Sequence, residues 1–358
     1  SLNLIIPVAG KSSRYPGMRP KWLLTHPSGK LMVVESIAGL DLDTFKKIYV
    51  VALQEHESQY GFSEGLGRCF FDAFGESTYK KLDIVLLDSE TRNQPETIFQ
   101  AIEKKNIQGP IFIKDSDNFF KCSVSHGNFV TTYDISTMES VNAGNKSYVV
   151  TDDNGIITSI VEKKVISSEF CAGGYSFESA GIFRDSFVKL RDHDSLYISH
   201  MIYSMMLDGA EFGTDLASSY IDWGTLRDWN EYKSSFSAIF IDMDGVLVEN
   251  SGRYFGNLWG STGPLEKNVK KIRDLYDTGK CQIIITTSRD GSFEEATKNQ
   301  LERIGVKYHK IIFNLMHCKR VIVNDHAPTN PYRSCDAINI KRNSDTLSEK
   351  IREIISEK

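Results

Sequence analysis

Near the start of the chain, the apolar run Leu4–Ala9 opens into Gly10-Lys11-Ser12-Ser13-Arg14, and Pro20-Lys21 follows. Small residues after a buried strand let backbone N–H groups come close to a polyphosphate, which makes Ala9, Gly10, Ser12 and Ser13 candidate nucleotide-binding positions. Arg14 and Lys21 would place cations where a departing pyrophosphate gathers charge. The same residues also suit an ordinary glycine-containing strand-to-helix turn with two solvated basic side chains. Far down the chain a second apolar run ends in acids, Phe240-Ile241-Asp242-Met243-Asp244-Gly245-Val246-Leu247. Carboxylates spaced in this way can share a divalent cation, and Gly245 permits the tight turn that aims them. An acidic turn that merely closes a strand is the plain alternative.

Both constellations need strands to position them. Short continuous apolar runs rich in β-branched residues read as buried parallel strands. They recur at Leu4–Ala9, Ile48–Leu53, Ile84–Leu87, Ile111–Ile113, Ser147–Val150 and Ile156–Val161, then at Ala238–Ile241, Gln282–Thr286, Ile311–Phe313 and Val321–Val323. Amphipathic stretches such as Glu96–Lys105, Lys267–Thr278 and Ser292–Ile304 supply crossover helices. At 358 residues the chain is long enough for two ordinary domains. A small polar link within Asp228–Ser237, followed at once by a new strand, sets the expected division at residues 1–235 and 236–358.

Six segments in order give the first part a family resemblance. The opening strand and loop resemble the signature of sugar-1-phosphate nucleotidyltransferases. Gln94-Pro95-Glu96-Thr97-Ile98 resembles that family's second nucleotide-contacting segment, which assigns Gln94 and Thr97 to the nucleotide. Lys114-Asp115-Ser116-Asp117-Asn118 falls where the family keeps a metal-binding aspartate, and the resemblance gives that role to Asp117. Asp115, counted with the substrate-binding residues, is either a second carboxylate at the same ion or a loop cap. Val161-Glu162-Lys163 is similar to the family segment whose lysine meets the sugar-side phosphate, and Gly173-Gly174 follows at the usual interval, with Gly174 taken as a substrate contact. Tyr220-Ile221-Asp222-Trp223-Gly224 resembles the late segment with the second metal-binding aspartate, Asp222. Each aspartate follows an apolar stretch, and parallel strands would bring such ends to one crevice. The implied reaction is attack of a phosphorylated sugar, polyol or small alcohol on an NTP, with Mg²⁺ drawing two anions together. Lys11-Ser12-Ser13, Trp22 and Lys164 depart from the family pattern and leave base and acceptor open.

The last third resembles the haloacid dehalogenase phosphatase superfamily. Asp242 falls at the position of that family's nucleophile and Asp244 at that of its acid–base partner, both at Mg²⁺. Thr287, preferred over Ser288, would bind the phosphoryl oxygen; Asp325 at the end of Val321–Val323 would complete the metal shell; Lys319 would meet the phosphate, unless it is a surface lysine. The interval between Asp244 and the next strand leaves room for only a minimal cap. The implied fold class is therefore α/β throughout: a Rossmann-like nucleotidyltransferase domain with a mixed sheet, then a haloacid-dehalogenase-like Rossmannoid. Together they imply a bifunctional enzyme for capsule or surface-glycan precursors, or a phosphatase carrying a non-catalytic nucleotide-sugar-binding domain.

Composition restricts the alternatives. A net charge of −5 gives no global pull toward nucleic acid. Without about eighteen uninterrupted apolar residues, membrane insertion is not expected. Six scattered cysteines with no CxxC pair read as reduced thiols of a cytoplasmic protein rather than as a zinc site. The sequence sets no oligomeric state and allows a homo-oligomer.

Overall fold

Every side chain of β1 (Leu2–Pro7) but the last is buried in the computed structural model, which describes residues 1–10, 18–138, 142–330 and 332–355. Its side chains alternate between two cores. Leu4 and Ile6 join Ile48, Val50 and Phe112 on one face, while Ile5 joins Val51, Val85 and Ile113 on the other. A strand covered on both faces is mostly apolar, which explains the run from Leu4; the buried exception, Asn3, donates its amide to the Gln108 carbonyl at 3.1 Å.

Two compact units make up the chain, Ser1–Trp229 and Asn230–Lys358, with the division inside the helix Leu226–Ser234. In the first, β2 (Phe45–Leu53), β3 (Leu82–Leu87) and β4 (Ile111–Lys114) extend from β1 in parallel, in the order β4-β1-β2-β3. Beyond this part the sheet is mixed. With β5 (Asn118–Lys121), β6 (Phe129–Asp134), β7 (Ser147–Thr151), β8 (Ile157–Glu162), β9 (Glu169–Phe177) and β10 (Gly213–Leu216) in chain order, β9 runs antiparallel to both β4 and β6. It also pairs with β7, which forms a hairpin with β8. β5 instead pairs antiparallel with β11 (Ser219–Asp222) in a separate two-stranded ladder. The helix Gln94–Lys105 starts where Asn93 accepts the Glu96 N–H at 2.9 Å and Pro95 occupies the first turn.

In the second unit, β12 (Ser237–Asp242), β13 (Cys281–Thr286) and β14 (Lys310–Ile312) form a parallel sheet in that order. The helices Glu266–Asp277 and Glu294–Ile304 contribute Val269, Ile272, Leu275 and Leu301 to its core. The strand expected at Val321–Val323 does not form. Those residues are 73%, 51% and 92% exposed, so an apolar β-branched run here found no ladder partner. Side chains tie the surrounding loop instead: Arg320 donates to the Met316 and Cys318 carbonyls, and Asn324 to that of Ser334. Among the described residues, no helix is long and apolar enough to cross a membrane.

Candidate functional site

At the C-terminal end of β4 the chain turns through Asp115 and Asp117 into β5. Asp222 lies opposite Asn118 on the β5–β11 ladder, and the Trp223 N–H donates to the Asp117 carbonyl at 2.9 Å. The two aspartates are thus brought to neighbouring positions. The expected route, convergence of parallel strand ends, is corrected: an antiparallel pairing does it.

Each aspartate has a lysine. Lys21 Nζ lies 2.5 Å from Asp117 Oδ2, and Lys146 Nζ lies 2.9 Å from Asp222 Oδ2. Lys146 is nearly buried, with its ammonium 4.8 Å from the Phe170 ring centre, 4.9 Å from that of Tyr220 and 3.1 Å from the Tyr220 hydroxyl. Rings on two sides stabilise a cation that has lost much of its water. Gly224 N–H donates to Asp222 Oδ1 at 2.8 Å, which fixes that carboxylate further. Burial, with the charges of Asp222, Asp117 and Asp115 adding to it, raises the Tyr220 phenol well above its ordinary value.

Asp115 accepts from Gln94 Nε2 at 2.6 Å. Burial pushes its carboxyl up to about 6, and the neighbouring charge of Asp117 adds to this. Lys114 is fully buried, and burial pulls its amine down to about 7. Gly173 makes the close approach of this loop to β9 possible. Its φ is +95°, and a Cβ there would sit 2.6 Å from Asn118 Nδ2 and 2.7 Å from Asp115 Oδ2. The expected glycine, Gly174, faces elsewhere: its Cβ would meet Thr131, Phe112 and Phe120, so its small size serves packing.

The other expected positions divide. Ser12, Ser13 and Arg14 lie outside the described residues. Ala9 belongs to the core, and Gly10 is exposed with open space where a Cβ would go. Thr97 is buried, its hydroxyl 2.6 Å from that of Thr91. Lys163 is exposed, in the left-handed region at φ 55°, which strains a non-glycine residue. Its ammonium donates to the Tyr197 hydroxyl at 2.7 Å, while its backbone N–H meets the Lys146 carbonyl at 3.0 Å. Sequence reasoning gave no role to Lys114, Tyr220 and Gly173, though it quoted their segments, and it missed Lys146 altogether. A lysine ending the buried run Ile111–Ile113 was the visible signal for the first; nothing local marked Lys146.

Hard carboxylate oxygens at Asp117 and Asp222 fit Mg²⁺, which needs only one or two protein carboxylates beside water and phosphate. Among the described residues, no group of three or more His, Cys, Asp or Glu side chains could hold a metal.

In the second unit Asp242 ends β12 in register with Thr286 of β13. Burial raises its carboxyl, while the Met243 N–H, at 3.0 Å, and the charges of Arg320 and Arg342 pull the other way. Gly245 follows at φ +90°, as the tight turn requires. The other expected residues of this unit stand in different settings. Asp244 is gripped by Arg289 through bonds of 3.0 and 2.8 Å, and Arg289, with no exposure, also donates to Thr297 and Gln300. Asp325 lies exposed outside any strand, so the three-aspartate shell is not assembled. Thr287 is fully buried, its hydroxyl accepting the Arg289 N–H, and Ser288 keeps solvent access. Lys319 is exposed, whereas the neighbouring Arg320 guanidinium reaches Ser288 Oγ at 3.1 Å. Among the described residues, the three carboxylates expected at a second Mg²⁺ are not gathered into one cluster.

No protein family matches the sequence in a scan of family models, and a search of curated proteins finds no match. Solved structures do match, across the N-terminal part of the chain. A nucleoside-diphosphate-sugar pyrophosphorylase from Vibrio cholerae is similar over 64% of this chain and 98% of its own, with a TM-score of 0.54 at 18% identity. A Bacillus anthracis structure described as a glucose-1-phosphate thymidylyltransferase in complex with a sucrose is similar over 65% of this chain and 94% of its own, with a TM-score of 0.51 at 17% identity. The first unit therefore has the mixed α/β fold of those nucleotidyltransferases.

Proposed function

We propose that the first unit catalyses nucleotidyl transfer from an NTP to a phosphorylated sugar, polyol or small alcohol, releasing pyrophosphate. The observation that carries this reading is the placement of Asp117, just before β5, and Asp222, opposite Asn118, at one end of a short ladder, each beside a lysine. The fold adds support, because the proteins it resembles are named for that substrate class. In the reaction a phosphate oxygen of the acceptor bonds to the α-phosphorus as the α–β anhydride bond breaks and pyrophosphate departs. Asp117 and Asp222 would hold Mg²⁺, which when bound neutralises the triphosphate and draws the two anions together. Lys21 and Lys146 supply positive charge beside the reacting phosphates, where it counts most as charge shifts to the leaving group. Lys163 follows the end of β8 with its exposed ammonium on the Tyr197 hydroxyl, and from there it would meet the acceptor phosphate. Incubation with each NTP, Mg²⁺ and a panel of sugar and polyol phosphates should release pyrophosphate with at least one pair. Folded protein that stays silent across the panel contradicts the reading.

The second unit, proposed as residues 236–358, is read as a phosphatase acting on an intermediate of the same supply route, for capsule or surface-glycan precursors. Asp242 supports this: it ends the parallel edge strand β12 in register with Thr286, and the charges of Arg320 and Arg342 act on its carboxyl. A carboxylate oxygen of Asp242 would bond to phosphorus as the ester oxygen leaves, and water would then release phosphate from the acyl phosphate. Loss of phosphate release in Asp242→Asn, with pyrophosphate release intact, is the expected result; retention of phosphatase activity contradicts it. A second reading, in which the first unit only docks a nucleotide sugar, is favoured by the lysines that already neutralise both of its aspartates. It predicts nucleotide-sugar binding without pyrophosphate release.

A further inference from the structure

The loop that carries Asp115 and Asp117 is closed from inside by a single ammonium. Lys114 has no solvent exposure, and its Nζ lies 2.6 Å from the Asp115 carbonyl, 2.7 Å from Asn118 Oδ1 and 3.1 Å from the Asn118 carbonyl. An ammonium has three N–H donors, and here each has an oxygen. The Phe120 ring, centred 4.5 Å away, covers it further. Two of those oxygens are main-chain carbonyls on either side of the Ser116-Asp117 segment, so the amine spans the base of the turn. The turn is also pinned from outside, where Asp115 N–H donates to the Gly173 carbonyl at 2.8 Å and Trp223 N–H to that of Asp117 at 2.9 Å. Asp117 therefore projects from a backbone held at three points.

Lys114 forms no ion pair among the described residues. An apolar side chain would fill its slot without the desolvation cost of a buried amine, but could not bridge the two carbonyls. We propose that Lys114 is a positioning residue: it sets the aim of Asp117, and through it the affinity of the Asp117–Asp222 pair for a divalent cation. This rests on the reading that the two aspartates hold the metal of nucleotidyl transfer. Groups that orient a metal ligand from behind typically change metal affinity about 10–100-fold when removed.

The test uses the full chain and Mn²⁺, an ion that suits the same oxygen donors and whose free form is counted by electron paramagnetic resonance. Lys114→Met keeps the length of the side chain and removes its donors. Its affinity for Mn²⁺ is expected to fall about tenfold or more, while circular dichroism shows the fold retained. Asn118→Ala removes one acceptor and leaves the amine in place; a smaller loss in the same direction is expected. It also stands in should Lys114→Met fail to fold. A merely structural role would lower the melting temperature and leave Mn²⁺ affinity as it was. That result in either folded variant, or wild-type protein that binds no Mn²⁺, overturns the proposal. Pyrophosphate release by the wild-type chain is scored separately, so failure of the nucleotidyl-transfer reading is distinguishable from failure at Lys114.

Discussion

Replacing Gly173 by alanine adds one methyl group at a crowded point of the first unit's site. That methyl would lie 2.6 Å from Asn118 Nδ2, 2.7 Å from Asp115 Oδ2 and 3.1 Å from Asp115 Cβ, distances at which something must move. The backbone at φ +95° adds conformational strain of about 1–3 kcal/mol, and overpacking adds a similar amount, for a total of about 2–6 kcal/mol. Against a typical stability of about 5–15 kcal/mol, most molecules stay folded in the absence of denaturant. Relief comes at the cost of displacing Asp115 and Asn118, the residues that flank Asp117. Gly174→Ala is the control. Its methyl would lie 2.5 Å from Thr131 Oγ1 and 2.8 Å from Phe112 and Phe120 ring carbons, with no left-handed strain, so about 1–3 kcal/mol is expected. Urea denaturation should show both variants destabilised, Gly173→Ala more so. Pyrophosphate release, measured where both are folded, should fall sharply in Gly173→Ala and modestly in Gly174→Ala. Wild-type activity and Mg²⁺ dependence in folded Gly173→Ala would refute the reasoning.

Asp115 and Arg289 supply two further predictions. Because the Asp115 carboxyl is held at about 6 in the fold against 3.8 in the reference state, the protonated form favours folding. That contribution is complete below about pH 4 and is lost as the pH rises through about 6, so Asp115→Asn should gain stability relative to wild type between pH 4 and 8 in urea melts. A constant difference across that window contradicts the placement. Arg289→Met should destabilise the second unit by about 3–5 kcal/mol, because the nearly buried Asp244 then lacks its partner. Asp244→Asn in the same background should recover part of the loss, and an additive double mutant would count against the pair.

Much of the scaffold was legible because buried strands carry their signal in a few residues. Leu2–Pro7, Phe45–Leu53, Leu82–Leu87 and Ser237–Asp242 lie where continuous apolar runs predicted them. The helices Gln94–Lys105 and Glu266–Asp277 followed from amphipathic spacing. Pairing direction was not legible, since an apolar run reads the same in parallel and antiparallel ladders. Nor did β5, β9 and β11 carry a continuous apolar run that marked them as strands, so the β9 pairings and the β5–β11 ladder were missed, although Asp117 and Asp222 themselves stood out. Lys146 and Lys114 act through partners distant in sequence or through carbonyls, which leave no local pattern. Val321–Val323 shows the reverse failure: composition favoured a strand, but a strand also needs a free edge in reach.

Pyrophosphate release with a responsive NTP and acceptor, compared among wild type, Asp117→Ala, Asp222→Ala and Asp242→Asn, tests the central claim most directly. The first two substitutions should abolish release while the protein remains folded, and Asp242→Asn should release pyrophosphate at the wild-type rate. Undiminished release from folded Asp117→Ala or Asp222→Ala would show that the carboxylates at the end of the β5–β11 ladder do not carry the reaction.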